Sequence, residues 1–261
     1  MTVEFNWILG ASIAFGAVLA WLHTVFTGKY TVKAIDTERY INLPLMGTIA
    51  ALAAALAAFL TGAYTLIPAI AGFFGLLSLF AATDYYYRRL PNVLTGYTAL
   101  YSLVTLPVSL MYFTEHWVLS CLIGLAAGVT VLLVFGVVSL FTTHMGMGDV
   151  KLAPSLAFWV VSLSVAYLTP VISPENPADA GAMWLTAGVA LIAWLFLSFA
   201  TSLIWLVLRV VVKSIKRNSE TDPGVPFGVF LALATVIAVI AIPVLGMAFA
   251  PTVIEEIGII F

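Results

Sequence analysis

The sequence predicts an all-α membrane protein, a polytopic bundle of about eight transmembrane helices. The chain has 261 residues, of which 63% are hydrophobic and 8% charged, and its mean hydropathy is +1.13. An ordinary soluble domain carries roughly 25% charged residues, and no soluble fold hides this much apolar side chain. In lipid only α-helices and closed β-barrels satisfy their own backbone. The apolar runs here are long and continuous rather than alternating, which favours helices.

The spans follow from the length of the apolar runs, because a helix needs about 20 apolar residues to cross the hydrocarbon core. The segment from Tyr40 to Thr83 has no charged residue and is long enough for two crossings, with a turn near Thr61 to Thr65. The same criterion predicts one integral-membrane domain over residues 1–261, with a retained first helix. The predicted spans are 8–27, 43–62, 66–83, 93–112, 118–141, 150–171, 184–212 and 227–249.

The charged residues predict how these spans are oriented. With eight spans, all ten lysines and arginines fall on one side of the membrane. The other side carries acids only: Glu4, Glu115, Glu175, Asp179, Glu255 and Glu256. By the positive-inside rule the basic side is the cytosol, so both termini are expected outside and the protein in the cell (inner or cytoplasmic) membrane.

Prolines and alanines support the same division of the chain. Pro44, Pro91, Pro154 and Pro226 are each predicted within the first turn or so of a span that starts on the cytosolic side. Proline is tolerated there because the first N–H groups of a helix have no partner within the helix. The alanine-rich run from Ala50 to Leu60 favours close packing between helices.

Two aspartates are predicted at the same depth. Asp84 ends span three and Asp149 opens span six, and because these spans run in opposite directions, both carboxylates reach the cytosolic rim. An ionisable group at this depth is costly and marks a candidate functional site. Alternatively, Asp149 is an ordinary helix cap and Asp84 pairs with Arg88 one turn later. That alternative explains the glycines beside Asp149 poorly, since paired glycines let the backbone unwind or another segment approach closely.

A pair of carboxylates at one depth suggests an aspartyl protease. One carboxyl stays protonated and polarises the scissile carbonyl, while the other takes a proton from the attacking water, because like charges close together cannot both ionise. A competing function is an ion- or proton-coupled transporter with Asp84 and Asp149 as coupling sites. It would predict broken helices near the bilayer midplane and often an inverted repeat, and the sequence shows no such repeat.

Three motifs in order resemble those of the type IV prepilin peptidases, which are GxGD membrane aspartic proteases. They are Asp84-Tyr-Tyr-Tyr-Arg-Arg-Leu-Pro-Asn92, Gly146-Met-Gly-Asp-Val-Lys151 and Pro226-Phe-Gly-Val-Phe-Leu231. The resemblance implies an endopeptidase that cuts the leader of prepilins and pseudopilins on the cytosolic side, between a basic stretch and a hydrophobic helix. It implies that Asp84 and Asp149 are the catalytic pair. Other GxGD proteases, resembling presenilin or signal peptide peptidase, fit less well, because Thr83 stands where they have tyrosine and their Pro-Ala-Leu motif is absent.

The same motifs supply the supporting site residues. These are Gly146, Gly148, Lys151, Arg88, Pro91 and Asn92. Lys151 is interpreted either as an interfacial lysine that reaches the aqueous boundary, or as a charge that holds Asp149 ionised or contacts the substrate. The helix dipole would favour an anion at Asp149, at a helix start, over Asp84, at a helix end. This difference makes Asp149 the base and Asp84 the acid, although Arg88 opposes it.

The sequence departs from many bacterial family members between spans one and two. Those members carry an insert there with paired CxxC motifs, associated with N-methylation of the cut pilin, whereas Gly28 to Asn42 contains no cysteine. Methyltransferase activity is therefore not expected. His144 borders the second motif without a second metal ligand nearby, so neither a metal nor a cofactor is expected. The expected partners are a prepilin-like substrate and membrane lipids, and no nucleic acid.

Overall fold

The computed structural model describes residues 7–35, 41–61, 66–141, 146–173, 175–176, 179–216 and 226–257. Over these ranges the chain forms eight α-helices and no strand. The helices are α1 (Trp7–Ile35), α2 (Leu43–Thr61), α3 (Ile67–Tyr87), α4 (Asn92–Met111), α5 (Trp117–Phe141), α6 (Met147–Ile172), α7 (Ala180–Lys216) and α8 (Phe227–Ile257).

The predicted all-α membrane bundle is confirmed. Seven of the described helices are long and apolar enough to cross a membrane, and α2 contributes a shorter apolar stretch, Leu43–Leu56. Each predicted span falls on one helix. The helices α1 and α7 continue past their predicted spans to Ile35 and Lys216, because the lysines in both extensions are good helix formers. The protein is therefore an integral membrane protein.

The helices that carry the two aspartates form the centre of the bundle. In their most apolar windows, 83% of α3 and 72% of α6 is buried, against 11% of α7. The Phe73 ring of α3 stacks on Trp159 of α6 with centroids 4.2 Å apart. The Trp159 indole N–H donates a 2.8 Å hydrogen bond to Ser102 Oγ of α4. This packing fixes α3, α4 and α6 relative to one another beneath the site.

Glycines allow close helix contacts around α6. A methyl group built on Gly128 of α5 would lie 2.9 Å from the Pro154 carbonyl oxygen, and one on Gly124 would meet Ser162 and Phe158. Small residues four apart let two helix backbones approach closely in a membrane. The helix α6 begins at Met147, so Pro154 lies inside it, about two turns from its start. The prediction that Pro154 occupies the first turn was wrong, because the glycine motif itself joins the helix.

Candidate active site

The end of α3 places the first aspartate. Asp84 lies in the last turn and is only 7% exposed. The helix ends because Arg88 adopts a left-handed conformation, φ 54° and ψ 29°, while its N–H still donates to the Asp84 carbonyl. Left-handed backbone is uncommon for a residue with a side chain, and here it turns the chain sharply. Pro91 (φ −62°) then precedes Asn92, the first residue of α4.

The start of α6 places the second aspartate. Gly146 is the N-cap residue, and Asp149 lies three residues later in the first turn, 7% exposed. The Gly146 backbone N–H interacts with the Asp149 carboxylate, whose Oδ2 would lie 3.4 Å from a methyl group on Gly146. An acid at this position that reaches back to the N-cap N–H satisfies a donor that the helix leaves open. The side chain is thereby held at the rim instead of pointing into water.

The two carboxylates meet at Gly228, in the first turn of α8. A methyl group built on Gly228 would lie 3.0 Å from Asp149 Oδ1 and 3.1 Å from Asp84 Oδ2. The two oxygens therefore lie no further apart than the sum of these distances, about 6 Å. Only a residue without a side chain leaves this space open. The structure thus brings together two acids that are far apart in the sequence.

The N-terminus of α8 also contacts Asp84. The Val229 N–H donates to Asp84 Oδ2 at 3.3 Å, and the Gly228 N–H interacts with the same carboxylate. A helix N-terminus carries a partial positive charge. Each carboxylate therefore lies at a helix N-terminus, Asp84 at that of α8 and Asp149 at that of α6. The dipoles of α3 and α6 alone therefore do not decide which carboxyl is the acid and which the base, because α8 acts on Asp84 as well, and the assignment stays a prediction.

The supporting residues lie around this pair in two groups. The connector and the start of α4 hold Arg88, Pro91 and Asn92, with the positive charge of Arg88 acting on Asp84. The first turns of α6 hold Gly146, Gly148 and Lys151. Lys151 is exposed and its Nζ donates to Asn92 Oδ1 at 2.7 Å. This bond links the first motif to the second, a contact that neither reading of Lys151 predicts.

Sequence reasoning missed Gly228 and Val229 as site residues. The Pro226-Phe-Gly segment carries part of the family resemblance, but the resemblance assigns it no role. The available signal was a glycine in the first turn of a helix, two residues after a helix-starting proline. That signal alone could not show which side chains the glycine faces.

The described residues contain no group of three or more histidine, cysteine, aspartate or glutamate side chains that could hold a metal ion. His144 lies outside the described residues. Cys121 is partly buried within α5 and is not in a disulfide. The described site presents two buried carboxyl groups and the backbone N–H groups around them.

Fold and site together define a class of protein: a polytopic helical membrane protein with a buried pair of carboxylates at the ends of its central helices. The model of the type IV leader peptidase family matches residues 71–210. The chain belongs to this family and is a peptidase. The matched region includes Asp84 and Asp149 and ends before α8. No curated protein and no solved structure matches the chain.

Proposed function

We propose that this protein is an aspartic endopeptidase that removes the leader peptide of prepilin-like proteins at the cytosolic face of the cell membrane. Asp84 and Asp149 are the catalytic pair. The observation that carries the proposal is their convergence at Gly228, where both carboxylates contact one backbone position. Family membership supports leader peptides as the substrate class.

The pair activates water by acid–base chemistry. Hydroxyl hydrogen bonds span about 2.5–3.0 Å, so carboxylates no more than about 6 Å apart can hold one water between them. One carboxylate takes a proton from this water as its oxygen attacks the scissile carbonyl, while the other carboxyl donates its proton to the carbonyl oxygen. The tetrahedral intermediate then collapses, the C–N bond breaks and the amine leaves with a proton from the pair. The two acids act as a unit that holds one proton.

The charge distribution supports a cytosolic site. Asp84 and Asp149 lie at the helix ends that adjoin Arg88, Arg89 and Lys151, and basic residues mark the cytosolic side. A substrate with an apolar helix in the membrane and a basic leader in the cytosol would place its leader junction at this depth. The site then needs no opening through the bilayer to reach the leader.

The short connection between α1 and α2 supports a peptidase without methyltransferase activity. The helix α1 continues to Ile35 and α2 begins at Leu43, so only residues 36–42 join them. These residues include no cysteine. They are too few for a folded domain or for a zinc site of several thiolates.

The test is cleavage of a prepilin-like substrate by the purified protein in detergent, followed by mass spectrometry of the products. We expect Asp84→Asn and Asp149→Asn each to abolish cleavage while the helix content by circular dichroism stays the same. The cut product should carry no added methyl group when a methyl donor is supplied. Substantial turnover by either single variant would remove the pair as catalyst. Strong inhibition by a metal chelator would indicate a metalloprotease instead.

A further inference from the structure

The proposed substrate and the cytosolic rim carry charge of the same sign. The leader is expected to be basic, and the rim beside the two aspartates carries Arg88, Arg89 and Lys151. Like charges repel across such distances unless salt screens them. A basic leader therefore needs a recognition element here other than a simple acidic patch. The inference that follows rests on the proposed function.

Two exposed tyrosines directly follow the first aspartate. Tyr85 is 54% exposed and Tyr86 is 43% exposed, although both lie in the last turn of a largely buried helix. Their rings meet edge to face with centroids 5.2 Å apart. The Tyr87 ring continues the row, 6.4 Å from Tyr86. The end of α3 thus exposes aromatic rings within one turn of Asp84.

This surface favours a cation for two independent reasons. The face of a tyrosine ring attracts an ammonium or guanidinium group within about 6 Å of its centroid. The same turn is the C-terminus of α3, which ends at Tyr87, and a helix C-terminus carries a partial negative charge. Both effects act on a positive charge close to the carboxylate pair. Neither requires an acidic side chain.

The chain already uses aromatic rings to hold its own cations near helix ends. The Arg209 guanidinium lies 5.0 Å from the centre of the Trp205 ring in α7, and Lys29 Nζ lies 6.0 Å from that of Phe26 in α1. Trp205 therefore offers a matched control: an aromatic ring in the last third of a helix that ends on the cytosolic side, already occupied by a cation.

We propose that Tyr85 and Tyr86 bind a lysine or arginine side chain of the substrate leader through cation–π contacts. This contact sets the leader in register, so that the bond to be cut lies at Asp84 and Asp149. The residues are positioning residues and take no part in the proton transfers. The interaction selects for a basic leader despite the basic rim around it.

The experiment compares two substrates on three enzymes, with Trp205→Leu as a further control variant. The substrates are synthetic peptides with one apolar helix and either a lysine-containing leader or the same leader with glutamine in place of lysine. The enzymes are the wild type, Tyr85→Leu/Tyr86→Leu and Tyr85→Phe/Tyr86→Phe. Leucine keeps an apolar side chain in the interface but removes the ring, whereas phenylalanine keeps the ring and removes the hydroxyl. The measured quantity is kcat/KM for each combination of enzyme and substrate.

We expect the leucine variant to lose about 2- to 30-fold in kcat/KM on the lysine leader, the range given by cation–π energies. The loss should appear mainly in KM, and the glutamine leader should be cut as by the wild type. The phenylalanine variant should retain most of the preference for lysine. Trp205→Leu should leave that preference unchanged. Single Tyr85→Leu and Tyr86→Leu variants serve if the double variant does not fold.

Three results would overturn the inference. An equal loss on both leaders would indicate that the tyrosines only anchor the protein in the membrane interface. A lysine preference that survives the leucine variant would assign recognition of the leader to another part of the protein. A wild type without any preference for lysine would remove the need for a cation site. Wild-type protein that cuts neither leader would instead refute the proposed function.

Discussion

Gly148 and Leu90 lie so close together that a methyl group on Gly148 would stand 2.6 Å from Leu90 Cβ. The first turn of α6 is therefore packed directly against the connector that follows α3. This contact, with the hydrogen bond from Lys151 to Asn92, holds the segment after Asp84 on the segment that carries Asp149.

Alanine at each of the two glycines of the second motif should have a different effect on activity and stability. Gly148→Ala cannot be accommodated without moving Leu90, so we expect it to lower kcat/KM by at least about tenfold, because small displacements of reacting groups are costly. It should also destabilise the fold by about 1–3 kcal/mol through overpacking. Gly146→Ala should stay within about threefold of wild type, because Gly146 has ordinary φ and ψ of −69° and 138°. Kinetics and thermal unfolding of both variants check this, and the reverse order would contradict it.

Gly228→Ala should separate activity from stability. The added methyl group would lie 3.0–3.3 Å from atoms of both carboxylates, so the pair must shift, and we expect kcat/KM to fall about 10- to 100-fold. Thermal stability should change little, because alanine is the better helix former by about 1 kcal/mol. This gain offsets the cost of the close contact made by the added methyl group. Gly188→Ala is the control, because a methyl group there meets nothing within 4 Å. Full activity in Gly228→Ala would show that the close contact at α8 is not required for catalysis.

Removal of the hydrogen bond between Lys151 and Asn92 should reduce activity only modestly. The bond lies on the surface, where water competes for both partners. Lys151→Met and Asn92→Ala should therefore each reduce activity by no more than about fivefold, in line with a net hydrogen-bond contribution near 1 kcal/mol or less. The double variant should be no worse than the poorer single variant. A double-mutant cycle on kcat/KM measures this. Fully additive losses would show that the two residues act separately.

The buried hydrogen bond beneath the site should affect stability alone. Ser102→Ala would leave the indole N–H of Trp159 without its acceptor, and both residues are nearly fully buried. We expect a loss of about 0.6–2 kcal/mol in unfolding free energy, the range for such bonds in membranes, with kcat/KM near wild type. Thr130→Val, at an exposed hydroxyl on α5, should have a smaller effect. A larger loss at Thr130 than at Ser102 would contradict this reading.

The sequence predicts how deep a residue lies in the membrane better than it predicts which residues pack around it. Hydropathy and charge report where a residue lies along the membrane normal, which is why they place Asp84 and Asp149 on one rim. They do not report which helices are adjacent within the membrane plane. The contact of Gly228 with both acids and that of Gly148 with Leu90 depend on lateral packing, so hydropathy and charge predict neither. The left-handed Arg88 is equally hidden, since nothing in its side chain calls for that conformation.

The bond from Val229 to Asp84 has a consequence for biosynthesis. The two acids come from α3 and α6, but the backbone that packs between them belongs to α8, the last helix of the described chain. A nascent chain that has inserted α3 and α6 possesses both carboxylates and still lacks the turn that holds Asp84 in place. The peptidase would thus remain inactive during its insertion into the bilayer. It would become active only when α8 docks against α3 and α6.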